Sequence, residues 1–213
     1  MPTVIRKTTK PASRAAADAG NAASQTRKGI DRQQVLNAAR ELCNVRGVDG
    51  LSIKDIADRL GIRPPSVYAH FEGLPEIRAE LAKAGHHALA HQLRSSAVAQ
   101  TGASGVIAVA KAYLAFIREQ PGLYSAAMQP NASPEARAAA EEWLSVIQKL
   151  LESMGLSGED RIHALRGIRS MVHGFGQLEV IGQFRTQVDR DASFDRMVRA
   201  FVDAIGRDPI SPA

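Results

Sequence analysis

The sequence predicts an all-α protein, and three observations carry that prediction. Apolar residues recur at helical spacing from about residue 30 almost to the C-terminus. No run of alternating apolar and polar residues lies between turn signals, so no strand is expected. Capping residues and prolines also stand where helices would begin, with glycines where they would stop. A chain of 213 residues with 45% apolar content suits one small module and one medium domain with its own core.

The remaining composition narrows the class. No run of 18 apolar residues occurs and no apolar segment near the N-terminus could act as a signal peptide, so a cytoplasmic protein without a membrane partner is expected. Cys43 is the only cysteine and falls in an apolar periodic stretch, which makes it a small core residue. The net charge of +5 points to an anionic partner, and its location is informative. Residues 1–28 hold Arg6, Lys7, Lys10, Arg14, Arg27 and Lys28 against Asp18, whereas residues 29–75 and 76–213 each balance acids and bases. The first segment has no large apolar residue after Ile5 and is expected to be a disordered basic arm.

Next comes a module at 29–75. Asp31 and Gln34 can form a capping box, with Ile30 and Val35 at the hydrophobic-staple positions; Val35, Ala38, Ala39 and Leu42 then make an apolar stripe ending near Arg46-Gly47. The same pattern repeats with Ser52 and Asp55 as capping box and Leu51 and Ile56 as staple, giving a short helix to about Leu60. Gly61 stops it, and Ile62-Arg63 complete the turn into Pro64-Pro65, which suit the first turn of a third helix reaching about Phe71. Two short helices joined by a three-residue, glycine-containing turn and braced by a longer helix form a helix-turn-helix. Val67 and Phe71 face inward, leaving Pro65, Ser66, Tyr68 and Ala69 on faces that can meet DNA.

The block from Leu51 to Ile62, continuing through Ser66-Val67-Tyr68-Ala69-His70-Phe71, resembles the DNA-binding signature of the tetracycline-repressor (TetR) family. The segments Tyr113-Leu114-Ala115-Phe116, Pro121-Gly122-Leu123-Tyr124 and Val172-His173-Gly174-Phe175 are similar to a regulatory domain in one branch of that family. The resemblance implies that Lys54, Pro65 and Ser66 face base edges and that Ser52, Tyr68 and His70 contact the DNA backbone. Pro64 and Pro65 lack N–H groups, so Pro65 is expected against a thymine methyl rather than a phosphate. Leu74 occupies a position where the family commonly has a phosphate-binding Lys, which leaves the arm, and Arg27 and Lys28 above all, as the expected source of phosphate contacts. The implied partner is double-stranded DNA carrying a palindromic operator.

Residues 76–213 form the expected regulatory and dimerisation domain. A long helix from Pro75 to about Gln100 links it to the module, an apolar central helix covers 104–119 until Gln120-Pro121-Gly122 ends it, and Ser133-Pro134 open a helix to about Met154. Tyr113, Phe116, Tyr124, Met128, Trp143, Met171, His173 and Gln177 are either ordinary core or the lining of a cavity; the resemblance implies a small-molecule effector site. In residues 159–184, Gly167, Ser170, Gly174, Leu178 and Ile181 lie along one side, and in 193–205 Phe194, Met197, Val198, Phe201 and Ile205 follow helical spacing. These two stripes either pack within the chain or, as the resemblance implies, pair with their copies in a homodimer.

Together these readings describe a regulator that binds DNA, a repressor released by its effector, with a ligand-independent regulator or an activator as alternatives. No local catalytic motif supports an enzyme, and no cofactor is implied. His86, His87 and His91 invite a metal site, but no local carboxylate or cysteine completes one.

Overall fold

The computed structural model describes residues 29–130 and 133–207. Among them the chain forms α1 (Arg32–Arg46), α2 (Ile53–Leu60), α3 (Pro64–Tyr68), α4 (Leu74–Ala97), α5 (Gly102–Glu119), α6 (Pro121–Ala127), α7 (Pro134–Ser153), α8 (Gly158–Val180) and α9 (Arg190–Arg207), with no strand. The basic arm, including Arg27 and Lys28, lies outside the described residues.

The first helix starts as its sequence dictates. Asp31 accepts from the Gln34 N–H at 2.8 Å, and the Gln34 side chain accepts from the Asp31 N–H at 2.9 Å, which closes the capping box. At α2 only half of the expected box forms. Ser52 Oγ accepts from the Asp55 N–H at 3.1 Å, but the Asp55 carboxylate takes the Ser52 hydroxyl at 2.5 Å and Arg46 at 2.8 Å. Asp is one methylene shorter than the Glu this motif favours, and Arg46 offers it a charged partner.

Gly61 adopts φ +65°, a left-handed conformation that ends α2 without a Cβ penalty. Arg63 then enters α3, whose first turn holds both prolines. Helix α3 ends at Tyr68, three residues short of the expected Phe71. Val35, Ala39, Ile56, Ala57, Val67 and Phe71 are buried and form the small core of the module. Arg32 lies over the Phe71 ring at 4.3 Å and bonds Glu76 of α4 at 2.7 Å, so α4 grows directly out of the module.

The larger domain is organised around α4, α5 and α7. Its apolar centre includes Leu89, Leu93, Val109, Tyr113, Phe116, Ile117, Trp143 and Ile147. Gln120-Pro121-Gly122 ends the central helix as expected, and a helix not expected follows: Gln120, with φ −133°, closes α5 and at once opens α6. Proline cannot continue a helix, but at the first position it fits a new one.

Two ion-pair clusters hold the last helix. Arg118 of α5 contacts Glu179 of α8 at 2.8 Å and Asp191 of α9 at 2.6 Å, and Lys111 reaches Asp195 at 2.5 Å. Phe194 and Val198 are buried within the chain, where Phe194 packs on Phe175 with ring centroids 5.1 Å apart. A Cβ at Gly167 would collide with the Phe201 ring, so this glycine admits α9 against α8. At these four positions the structure shows packing within the chain, one of the two expected arrangements. Leu178 and Ile181 remain exposed, Ser170 is exposed, and Gly174 and Met197 are half-buried.

Candidate functional site

The exposed face of the module collects the residues expected to touch DNA. Lys54, Pro64, Pro65, Ser66 and Ala69 are exposed, while Ser52 and His70 are half-buried. Tyr68 is 55% exposed, so its ring projects into solvent instead of filling the core, unlike Val67 beside it. A helix one turn long offers outward faces at 65, 66, 68 and 69 because only position 67 turns inward.

The module's charges neutralise each other at the surface. Arg46 pairs with Asp55, Lys54 with Asp58 at 2.5 Å, and Arg59 with Glu41. Hydrogen bonds from Ser52 and Arg46 hold the Asp55 carboxyl below its usual range, and Asp58 holds the Lys54 ammonium above its own. Exposed pairs of this kind contribute little to stability and yield readily to another anion. Arg63 is different: it is exposed at the start of α3, and no ion pair holds it among those described. Sequence reasoning passed over Arg63 as a turn residue; its place directly before Pro64-Pro65 was the available signal.

Behind the module, a cavity of about 340 Å³ is lined by Tyr113, Tyr124, Met128, Arg166, Arg169, Ser170 and His173. Its floor is aromatic. Tyr113 and Tyr124 are buried, their hydroxyls lie 3.2 Å apart, and Tyr124 Oη is 2.7 Å from His173 Nδ1. Burial pushes both phenols up, so they stay protonated and can orient a polar guest. Desolvation, with Arg169 as second cause, holds His173 below the usual histidine range.

Of the eight residues expected to line a cavity, Tyr113, Tyr124, Met128 and His173 do so. Phe116 and Trp143 are instead buried core, and Met171 and Gln177 are half-buried away from the wall. Trp143 donates to His86 Nδ1 at 3.1 Å and lies beneath the Arg169 guanidinium, whose carbon is 5.2 Å from the ring centroid. Arg166 and Arg169 were missed because a helix carrying arginines at 166 and 169 reads as a solvated face. Ser170, expected at a subunit interface, is on the cavity wall.

Helix α6 joins the cavity to the module. Gly122 donates from its N–H to Asn44 Oδ1 at 2.9 Å, accepts at its carbonyl from Cys43 Sγ at 3.3 Å, and lies so close to the α1 backbone at Cys43-Asn44 that a Cβ has no room. Burial pushes the Cys43 thiol up to about 11, which keeps it a donor. Gln120 accepts twice from Arg40 of α1, at 2.8 and 3.2 Å. On the opposite side, a Cβ at Gly85 of α4 would sit 2.6 Å from the Leu123 carbonyl oxygen. Two residues after Gly122, Tyr124 faces the cavity.

Among the described residues no group of three metal-ligating side chains forms. His86 is buried against Trp143, and His87 pairs with Glu142 at 3.1 Å. No helix of the described residues is long and apolar enough to cross a membrane.

A helix-turn-helix with an exposed short third helix, followed by an all-α domain with a cavity open to solvent, is the arrangement of a transcriptional regulator of the two-domain helical type. Residues 35–81 match the model for bacterial regulatory proteins of the tetR family, and residues 106–201 match that for the tetracyclin repressor-like C-terminal domain. The chain is 33% identical over 180 residues to the HTH-type transcriptional regulator YobS of Bacillus subtilis (strain 168), covering 84% of this chain and 94% of YobS. Its fold is similar to a tetR-family regulatory protein from Rhodococcus RHA1, with TM-score 0.66, 16% identity and coverage of 82% and 96%. It is also similar to a TetR variant from Acinetobacter baumannii AYE in complex with minocycline, with TM-score 0.64, 20% identity and coverage of 85% and 99%. The chain belongs to the TetR family and is a helix-turn-helix transcriptional regulator. Regulators of this family bind DNA operators and small-molecule ligands as dimers.

Proposed function

We propose that the chain is a homodimeric repressor that reads a palindromic operator through residues 29–75 and is released when a small molecule occupies the cavity within residues 76–213. The observation that carries this reading is the seat of α6, with Gly122 against the α1 backbone and Tyr124 on the cavity floor. A ligand that prefers one position of Tyr124 biases the placement of α1 by its differential affinity for the two states. That a structurally similar TetR variant from Acinetobacter baumannii AYE is in complex with minocycline supports a small-molecule ligand.

On DNA, Lys54, Pro65 and Ser66 are assigned to base edges, with Pro64 and Ala69 beside them, and Ser52, Tyr68 and His70 to the backbone. Arg63 adds a phosphate contact from the start of α3, and Arg27 and Lys28 supply further ones from the arm. The second subunit is assigned to the exposed side of α8 and α9, where Leu178, Val180 and Ile181 are 43%, 47% and 62% exposed. A two-fold dimer would place the two α3 helices about one DNA turn, ~34–36 Å, apart.

Fluorescence anisotropy of the full-length protein, with the DNA upstream of its own gene against random duplex at physiological salt, tests the reading. Preference for the upstream DNA, protected in two half-sites, is expected. Equal affinity for both duplexes refutes operator recognition.

A further inference from the structure

The cavity wall carries two arginines, Arg166 and Arg169. Arg169 enters its wall from α8, over the Trp143 ring and against the Tyr113 hydroxyl, and its Nε is buried without a hydrogen-bond partner among the described residues. Arg166 stands one turn earlier at the mouth, and no carboxylate lines the cavity. Elsewhere in the same domain Arg94, Arg118, Arg161, Arg190 and Arg199 each contact an Asp or Glu. A sheltered guanidinium normally has an anion, because desolvation without pairing is costly.

The geometry around Arg169 selects the shape of that anion. The Arg169 guanidinium carbon lies 5.2 Å from the Trp143 ring centroid, and the planar fork of N–H donors that a guanidinium carries matches the two oxygens of a carboxylate. The hydroxyls of Tyr113 and Tyr124, hydrogen-bonded to each other, lie close by, while Met128 and the tyrosine rings supply apolar wall for a hydrocarbon body. At about 340 Å³ the space stands at the small end of ligand sites.

We propose that the ligand of this cavity is a small ionised carboxylic acid, its carboxylate on the Arg169 guanidinium and its apolar body between Tyr113, Tyr124 and Met128. The proposal rests on the reading of residues 76–213 as an effector-sensing domain. An acid carries the complement of what the cavity lacks, and a cation is repelled by Arg166 and Arg169.

Trp143 is the only tryptophan of the chain and lies under Arg169, so its emission reports on the site directly. Full-length protein is titrated with benzoate, phenylacetate and hexanoate, and separately with the primary amide of each. At least one acid is expected to shift the emission saturably, with its amide at least about tenfold weaker because the charge-assisted fork is lost. Arg169→Met, checked for folding by circular dichroism, is expected to lose acid binding; Arg169→Lys, which keeps the charge without the fork, is expected to bind about tenfold more weakly. Absence of a saturable response to any acid up to about 10 mM, amides equal to acids, or wild-type binding by both variants overturns the proposal. The same titrations with labelled operator separate the two readings. Acid binding that leaves operator affinity unchanged upholds the carboxylate site and refutes the effector mechanism. Operator binding by a protein that ignores every acid refutes the site alone.

Discussion

The DNA module and the cavity use their cations in opposite ways. In the module Arg46, Lys54 and Arg59 are exposed and paired, each with a carboxylate that water also reaches. In the cavity Arg169 is half-buried, its Nε fully so, and no ion pair to a carboxylate is formed among the described residues. The first arrangement keeps charges easily exchangeable, so a DNA phosphate can replace an Asp or Glu at small cost and in a salt-dependent way. The second holds a charge fixed in one geometry, where it discriminates among guests by shape and sign. One region is built to grip a long polyanion loosely at many points, the other to hold a small anion at one.

The sharpest way to break this contrast is to separate the two regions mechanically. Gly122→Leu places a side chain where the α1 backbone already sits, and backbone cannot rotate aside as a side chain can. A loss of about 3 kcal/mol or more in urea unfolding is expected from such overpacking, together with lost operator affinity. Full stability with full operator affinity would show that α6 is not seated on α1 as described. Tyr68→Ala probes the outer face alone. The ring is 55% exposed, so stability should change by no more than about 0.5 kcal/mol. Operator affinity should fall about tenfold, the worth of one net hydrogen bond to a charged group. Anisotropy and thermal melts on the same samples check both halves of that expectation.

How far the sequence could be read follows the same division. The module was legible because each decision is local: Asp31 with Gln34, Ser52 with Asp55, Gly61 in its left-handed turn, all within three or four residues. Even there the donor that occupies Asp55 escaped, since Arg46 lies nine residues back and competes through space. The cavity was half legible. Tyr113, Tyr124, Met128 and His173 carried aromatic or sulfur signals, but Arg169 becomes a cavity residue only because Trp143, 26 positions earlier in the sequence, comes beneath it. Helix α6 was missed because proline both ends and begins helices, and only the packing of Gly122 on Cys43 and Asn44 decides between the two. Likewise Gly167 and Phe194 look available to a partner until α9 is seen folded back on α8.

Arg169→Met sharpens the comparison from the side of stability. Removing one partner from an ion pair leaves the other unpaired, but among the described residues Arg169 has no anionic partner to abandon. Methionine keeps the length and apolar contact while sparing the desolvation of the charge, offset by the lost contact with Trp143. The variant should be as stable as the parent or more stable by up to about 1 kcal/mol. A clear loss in denaturant midpoint would mean that Arg169 has a structural anion, such as a carboxylate from the second subunit.

The smallest effect concerns pH and again distinguishes the two regions, because the histidines shifted downward, His86 and His173, belong to the larger domain. His86 of α4 accepts from Trp143 of α7 and lies against the Ala127 backbone of α6, with His87 and Arg169 adding positive charge; burial is the leading cause of its lowered pKa. In the unfolded chain it returns to about 6.5. Between the folded and unfolded values the unfolded state therefore binds more protons, so stability is complete above about 6.5 and declines as pH falls toward the folded value. Thermal melts at pH 7.5 and 5.5 should show a drop for the parent protein and a smaller drop for His86→Gln, whose carbonyl can still accept from Trp143. Parallel profiles would mean that His86 takes up its proton in the folded state as easily as in the unfolded one, and that the Trp143 hydrogen bond does not hold the ring neutral.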